Sequence, residues 1–323
     1  MRYRTLGRTG LKVSEIGYGA WGISGRQWIG AEDQVSLRAL AAARAAGVNF
    51  FDTALAYGDG HSEQLIARAF GRDTEVIIAT KVPPKNLIWP AAPHSRLEEV
   101  FPRAYVLASL EQSLRNLQRE TVDLVQFHVW NDEWAAKDEW RATLDAIRRT
   151  GKARFIGISI NDHQPNNALK ALETGEIDCV QVIYNIFDQS PEDELFPFCQ
   201  EHAIGVIARV PFDEGALTGR ITPETVFPSG DFREQYFAGR RKELVWDRVQ
   251  RICQDLHIAA EQMPEIALRF CLSAPAVSTV IPGMRTPAHA QLNAAASDRG
   301  ALPAQALAKL RAYRWEKNFY AED

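Results

Sequence analysis

The sequence predicts an α/β fold, a closed (β/α)8 TIM barrel with an N-terminal β-hairpin plug and extra C-terminal helices, and three observations predict it. Short apolar runs alternate with segments of helical spacing through the chain, and no obvious linker interrupts them. Eight runs have the length and composition of buried strands, which favours a closed barrel over an open doubly wound sheet. Three consecutive runs finish on an ionisable residue, Asp52, Lys81 and His128, and barrels gather their chemistry at the carboxyl ends of their strands. A length of 323 residues leaves one or two domains open, and the lack of a linker favours a single unit over residues 1–323.

The elements follow in order. Arg4 to Val13 reads as a hairpin with a glycine-marked turn, placed to plug the bottom of a barrel, and Ile16 to Trp21 is the first buried run. The alanine-rich stretch Glu32 to Ala46 carries Val35, Leu40 and Ala43 at helical spacing, and Gly47 stops it. Val48 to Asp52 is a second strand ending on a carboxylate, after which Thr53 to Gly60 forms a tight loop that presents Tyr57. A helix marked by Leu65, Ile66, Ala69 and Phe70 leads to Val76 to Thr80, the strand that delivers Lys81. The proline-rich stretch Pro83 to Pro102 has no period and reads as a loop above Lys81, with Trp89 in it. Val106, Leu110, Leu114 and Leu117 mark the next helix, and Asp123 to Phe127 delivers His128.

The second half repeats the alternation. Helices are predicted over Asp138 to Thr150, Pro165 to Thr174, Pro191 to His202, Leu244 to Leu256 and Met263 to Leu272, with a last one within Pro303 to Trp315. Strands are predicted at Arg154 to Ser159, Asp178 to Val182, Gly205 to Val210 and Val277 to Ile281.

Composition excludes several function classes. A net charge of −4 with dispersed Lys and Arg offers no basic stripe for nucleic acid. No run approaches the roughly 20 apolar residues of a membrane span, and Met1 to Arg8 has no apolar signal core. The cysteines Cys179, Cys199, Cys253 and Cys271 are scattered without a C-x-x-C pair, which fits a reduced cytoplasmic setting. Oligomeric state is left open. No strand-G-x-G-x-x-G-helix fingerprint occurs, so a dinucleotide would not be held in the Rossmann manner.

The strand-end residues suggest a tuned proton donor. A phenol with a reference pKa near ~10 is a weak acid at neutral pH. An ammonium beside Tyr57 would lower that value, and a carboxylate would keep the ammonium charged. Each residue also has a plain structural reading: Asp52 as a turn cap, Lys81 as a solvated strand end, Tyr57 as a loop aromatic, His128 as a strand-end histidine bonded to a carbonyl. Their shared position at strand ends raises the chemical reading above these.

The ordered set Arg4-x-Leu6-Gly7-x-Thr9-Gly10-Leu11-x-Val13-Ser14, Phe51-Asp52-Thr53-Ala54-x-x-Tyr57-Gly58, Lys81, Asp123-Leu124-x-x-x-His128, Gly151-Lys152-x-Arg154-x-Ile156-Gly157-x-Ser159, Gln181-x-x-Tyr184-Asn185 and Ile281-Pro282-Gly283 resembles the aldo-keto reductase family over nearly the whole chain. The resemblance implies NADPH-linked reduction of an aldehyde or ketone, or the reverse, with a tetrad matching Asp52, Tyr57, Lys81 and His128. Tyr57 would donate the proton, and His128 would orient the carbonyl oxygen. It further implies nicotinamide contacts from Ser159 and Gln181, with Trp21 and Asp52 nearby. Asn161 stands one position later than the family's usual Asn, and Arg209 replaces the usual stacking aromatic; stacking and a plain salt bridge are both open for it. Pro211, Phe212, Gly215 and Leu217 match a strap over the pyrophosphate, and the acidic pair Asp213–Glu214 either points away from it or holds it closed. Gly283, Met284, Arg285, His289 and Asn293 match the adenosine side, where Arg285 could meet a 2′-phosphate. NADPH is preferred and NADH is possible; Leu292, where the family usually has an acidic neighbour, departs from the pattern. Trp21, Trp89 and Trp130 are the candidates for the substrate wall; Trp134 and the segment Phe227 to Phe237 are further ones. A small aldehyde, a sugar and a steroid all fit. The tail with Phe319 and Tyr320 either covers the site or frays. Two other readings remain: an NADPH-binding redox-sensing or regulatory subunit with negligible turnover, and a barrel lyase using Lys81.

Overall fold

A computed structural model describes residues 1–71 and 73–316. A short antiparallel hairpin comes first, β1 (Tyr3–Thr5) and β2 (Lys12–Ser14), joined through a 3-10 turn at Gly7–Thr9. Eight parallel strands follow: β3 (Tyr18–Gly19), β4 (Phe50–Asp52), β5 (Ile77–Val82), β6 (Val122–Phe127), β7 (Ala153–Ser159), β8 (Cys179–Ile183), β9 (Gly205–Arg209) and β10 (Val277–Val280). They pair in sequence order, and the first and last meet through bridges Ile16 to Val280 and Gly19 to Gly283. The backbone bonds Gly17 N to Val280 O (2.8 Å), Val280 N to Glu15 O (2.9 Å) and Gly19 N to Pro282 O (3.0 Å) close the ring. This is the (β/α)8 barrel that the alternating pattern predicts.

The helices are α1 (Asp33–Ala45), α2 (His61–Phe70), α3 (Leu97–Val100), α4 (Arg103–Leu117), α5 (Asp138–Thr150), α6 (Leu169–Glu173), α7 (Leu195–Glu201), α8 (Phe232–Tyr236), α9 (Arg241–Leu256), α10 (Met263–Ser273), α11 (Pro287–Arg299) and α12 (Ala304–Arg311). α1 packs between α11 and α2, α2 against α4, and α4 against α5, so an outer layer covers apolar strand faces. None of these helices is long and apolar enough to cross a membrane, among the described residues. All four cysteines are buried free thiols.

The hairpin closes the bottom. Leu6, Leu11 and Val13 are buried against Phe50, Ile77, Leu124, Cys179 and Ile207, which belong to the barrel strands. Gly205 opens the space that Leu6 fills: a Cβ there would lie 2.7 Å from Leu6 Cδ1. Three predicted elements differ. The predicted loop Pro83 to Pro102 contains the short helix α3. The helix expected over Pro165 to Thr174 starts only at Leu169, because Asn167 spends its side chain on the Trp130 carbonyl (2.6 Å) and the Asp132 amide (3.0 Å). The helix expected over Pro191 to His202 divides into a 3-10 turn at Ser190–Glu192 and α7. The tail with Phe319 and Tyr320 lies outside the described residues.

Candidate active site

The structure brings Asp52, Tyr57, Lys81 and His128 together at the carboxyl ends of β4, β5 and β6. Asp52 is the last residue of β4, and Lys81 lies inside β5, one residue before its end. Lys81 is fully buried and donates to Asp52 Oδ1, to the Thr53 carbonyl (2.8 Å) and to Tyr57 Oη (3.3 Å). The loop carrying Tyr57 is pinned below by Ser62, whose hydroxyl accepts from Thr53 Oγ1 (2.9 Å) and donates to the Ala20 carbonyl (3.0 Å). The Tyr57 and His128 rings meet edge to face at 5.6 Å.

A lysine and an aspartate withdrawn from water stabilise each other only as a pair. Burial alone would lower the Lys81 pKa, yet Asp52 and Tyr57 reverse this and hold it above its ordinary value. Tyr57 corrects an expectation. Burial raises its pKa, Lys81 pulls the other way, Asp52 adds to the rise, and the net result is above the ordinary phenol. Desolvation outweighs the ammonium because the ammonium is shared with a carboxylate, so the phenol stays protonated across neutral pH. His128 is held well below its ordinary value by burial, then by Lys81 and Arg209, and is therefore a neutral imidazole. Its Nδ1 is buried with no partner among the described residues.

A cavity of about 1050 Å³ opens over these groups, at the upper end of the roughly 300–1,000 Å³ of small-molecule sites. Ser159 and Gln181 stand on its wall beside the tetrad, and Gly283, Arg285, His289 and Asn293 line it near the start of α11. The glycine-bearing segment contributes Pro211, Phe212, Glu214 and Gly215. Trp21 and Trp89 line it too: Trp21 stacks on Tyr57 at 6.3 Å, and Trp89 meets His128 edge to face at 5.8 Å.

Other candidates fall elsewhere. Trp130 is fully buried among the rings of Phe127, Trp134 and Trp140, the last of them on α5, and this aromatic cluster holds it in the core instead of on the cavity wall. Trp134 shares that cluster, whereas Phe232 of the segment Phe227 to Phe237 does line the cavity. The Met284 and Leu217 side chains are likewise buried off the wall, and the Met284 carbonyl accepts from Tyr18 Oη (2.5 Å). Asn161 is on the wall, but its Oδ1 accepts from the Trp130 amide (3.2 Å) and its Nδ2 donates to Gln164 (3.1 Å), so most of its bonding serves the loop. Arg209 lines the cavity while bonded to Asp162 (2.5 Å) and the Ile160 carbonyl (2.9 Å), which is the salt-bridge alternative. Arg285 donates to the Ile29 carbonyl (2.7 Å).

The acidic pair divides. Asp213 turns inward to Tyr236 Oη (2.5 Å) and Arg241 (2.9 Å), whereas Glu214, in a left-handed conformation with φ 56°, faces the cavity. Arg220 on the wall and Gln126, buried behind it, are among the residues that escaped the sequence reading. Arg220 comes within electrostatic reach of His289, as does Arg285; burial and then these two guanidiniums hold the His289 pKa below its ordinary value, so two cations and a neutral imidazole share one end. Gln126 sits in an otherwise apolar run and yet touches Asp52 (3.2 Å). Spacing carries no signal for either.

The donor set suits a nicotinamide dinucleotide. Gln181 Nε2 donates to Asp52 Oδ2 (2.8 Å), which leaves its Oε1 as an acceptor, and basic groups stand at the far end. The model of the Aldo/keto reductase family matches residues 15–314. Aldo-keto reductase YhdN of Bacillus subtilis is 28% identical over 295 residues, covering 89% of this chain and 86% of its own. An NADH-specific methylglyoxal reductase of Escherichia coli is 27% identical over 314 residues, covering 92% and 93%. The solved holo form of aldo-keto reductase AKR11C1 from Bacillus halodurans superposes with a TM-score of 0.77 at 26% identity, covering 99% of this chain and 100% of that one. Members of this family are oxidoreductases that act on small carbonyl compounds with NAD(P)H. A barrel carrying this pattern from end to end, matched by a family model over nearly all its length, belongs to the aldo/keto reductase family.

Proposed function

We propose that this chain, as one barrel unit, reduces an aldehyde or ketone to an alcohol with NADPH, or runs the reverse. The observation that carries the reading is the buried Asp52–Lys81 pair, with Lys81 Nζ 3.3 Å from Tyr57 Oη on the wall of the cavity. When bound at this wall, NADPH would supply the hydride for the carbonyl carbon. Tyr57 Oη donates its proton to the carbonyl oxygen as charge grows there, and Lys81 stabilises the phenolate left behind. Neutral His128 hydrogen-bonds the same oxygen without competing as an acid. Ser159 and the Oε1 of Gln181 would hold the nicotinamide carboxamide, and Pro211, Phe212 and Gly215 on the wall would meet the pyrophosphate. The Arg220 and Arg285 guanidiniums, with the neutral His289 imidazole between them as a hydrogen-bond partner, would favour a 2′-phosphate, which supports NADPH over NADH. Trp21 and Trp89 would wall the substrate with apolar surface.

A panel of carbonyls and alcohols tested with both nucleotides checks the reading. Nucleotide oxidation by at least one carbonyl class, faster with NADPH, is expected. Tight nucleotide binding with no turnover on the whole panel would favour the regulatory-subunit reading instead. Borohydride trapping of a carbonyl compound on Lys81, without nucleotide binding, would favour the lyase.

A further inference from the structure

The Asp52 carboxylate has a second side that the tetrad does not use. Its Oδ1 takes Lys81, while its Oδ2 accepts from Gln181 Nε2 at 2.8 Å and from Gln126 Nε2 at 3.2 Å. Gln181 Nε2 also lies 3.3 Å from Gln126 Oε1. All four residues are at most 2% exposed. Gln126 pairs in register with Lys81 on one side and Gly157 on the other, so it stands in the same layer of the barrel interior. Gly157 makes room for it: a Cβ there would lie 3.2 Å from Gln126 Cγ and 2.9 Å from the Cys179 carbonyl oxygen.

An ionised carboxylate only accepts, so both carboxamides must turn their NH2 groups toward Asp52. Gln126 Oε1 then needs a donor, and the second hydrogen of Gln181 Nε2 is the one in reach. That bond fixes the Gln181 amide with its oxygen away from Asp52, available to the cavity. The chain of bonds therefore has one direction.

We propose that Gln126 is a positioning residue for the reaction: with Gln181 it shares the Asp52 charge, so that Lys81 keeps its proton and its field acts on Tyr57, and it orients Gln181 toward the cofactor. This rests on the reductase reading. The groups facing Tyr57 are Lys81 from β5, Asp52 from β4, Arg209 from β9 and His128 beyond β6, and Glu63 of α2 acts on Lys81. Exchanging Gln126 for an apolar residue changes none of these charges directly. It leaves the carboxylate to draw the Lys81 proton closer, which masks the ammonium and makes Tyr57 harder to ionise.

The test compares Gln126→Leu and Gln126→Glu with the parent. In Gln126→Leu, kcat for carbonyl reduction at neutral pH is expected to fall about tenfold to a hundredfold, part of the roughly 10²–10⁴ that a positioned proton donor supplies. The alkaline limb of kcat/KM moves to higher pH by about one unit. In Gln126→Glu, a protonated carboxyl can donate to Asp52 and accept from Gln181, so activity stays near the parent's at acid pH and drops as that carboxyl ionises. A merely structural role would give no such pH-dependent rescue. Tyrosinate absorbance of Tyr57, isolated by subtracting a Tyr57→Phe protein, reads the same shift without turnover. Folded variants whose Tyr57 titrates as in the parent would overturn the proposal, even with kcat reduced. A parent that turns over no carbonyl would count against the reductase reading alone, because the absorbance titration still decides this one.

Discussion

The same strands line both ends of the barrel. At the bottom, the inward positions Phe50, Ile77, Leu124 and Ile207 are apolar, and the hairpin covers them with Leu6, Leu11 and Val13. At the top, a few residues along the same strands, the inward positions are Asp52, Lys81, Gln126 and Gln181, joined by hydrogen bonds and one ion pair. An apolar end needs only matching shape, so a short hairpin suffices. A charged end needs a partner for every donor and acceptor, because an unmatched buried charge costs several kcal/mol (~3–5). The first end tolerates loss by degrees. The second is all or nothing, and this is why it can hold a phenol in one protonation state.

Breaking the top should have the largest effect. Lys81→Met leaves Asp52 buried without its cation; we expect a loss of about 3–5 kcal/mol in denaturant unfolding, together with loss of turnover. Breaking the bottom should cost stability without chemistry. Leu6→Ala is expected to lose about 2–5 kcal/mol in the same unfolding experiment, with kcat and the pH profile of the folded protein unchanged.

The smallest effect sharpens the contrast within the strap. Glu214 lacks the partners that Asp213 has, and burial, with Asp213 and Asp162, pushes its pKa up to about 8 from the ordinary 4.5. The folded chain thus keeps a proton that the unfolded chain releases across this window, so stability falls as pH rises from about 4.5 to about 8. Glu214→Gln should therefore melt higher than the parent at pH 8–9 and about equally below pH 4.5, as followed by thermal denaturation across pH.

Much of this was legible in the residues. Apolar runs stopping at Asp52 and His128, and enclosing Lys81, locate the strand ends, because a parallel strand buried on both faces cannot hide its length. Gly151 and Gly205 mark a helix stop and a strand start for the same local reasons. What sequence could not supply is rotation and depth. Trp130 stands next to a strand end exactly as His128 does in sequence terms, yet a turn of backbone sends it into the core with Trp140. Gln126 looks like a lone polar residue in a strand, since nothing local reveals that Gly157 clears its path. The sign of the Tyr57 shift needed the amount of water removed from it, a property of the whole cavity.

The central claim is that a half-buried, protonated Tyr57 beside Lys81 is the proton donor. Single-turnover oxidation of bound NADPH by a reactive aldehyde, in the parent and in Tyr57→Phe, tests it most directly. The account predicts a rapid phase in the parent, a loss of about 10²-fold or more in the variant, and equal NADPH affinity in both. A Tyr57→Phe protein that oxidises its NADPH at the parent's rate would contradict it.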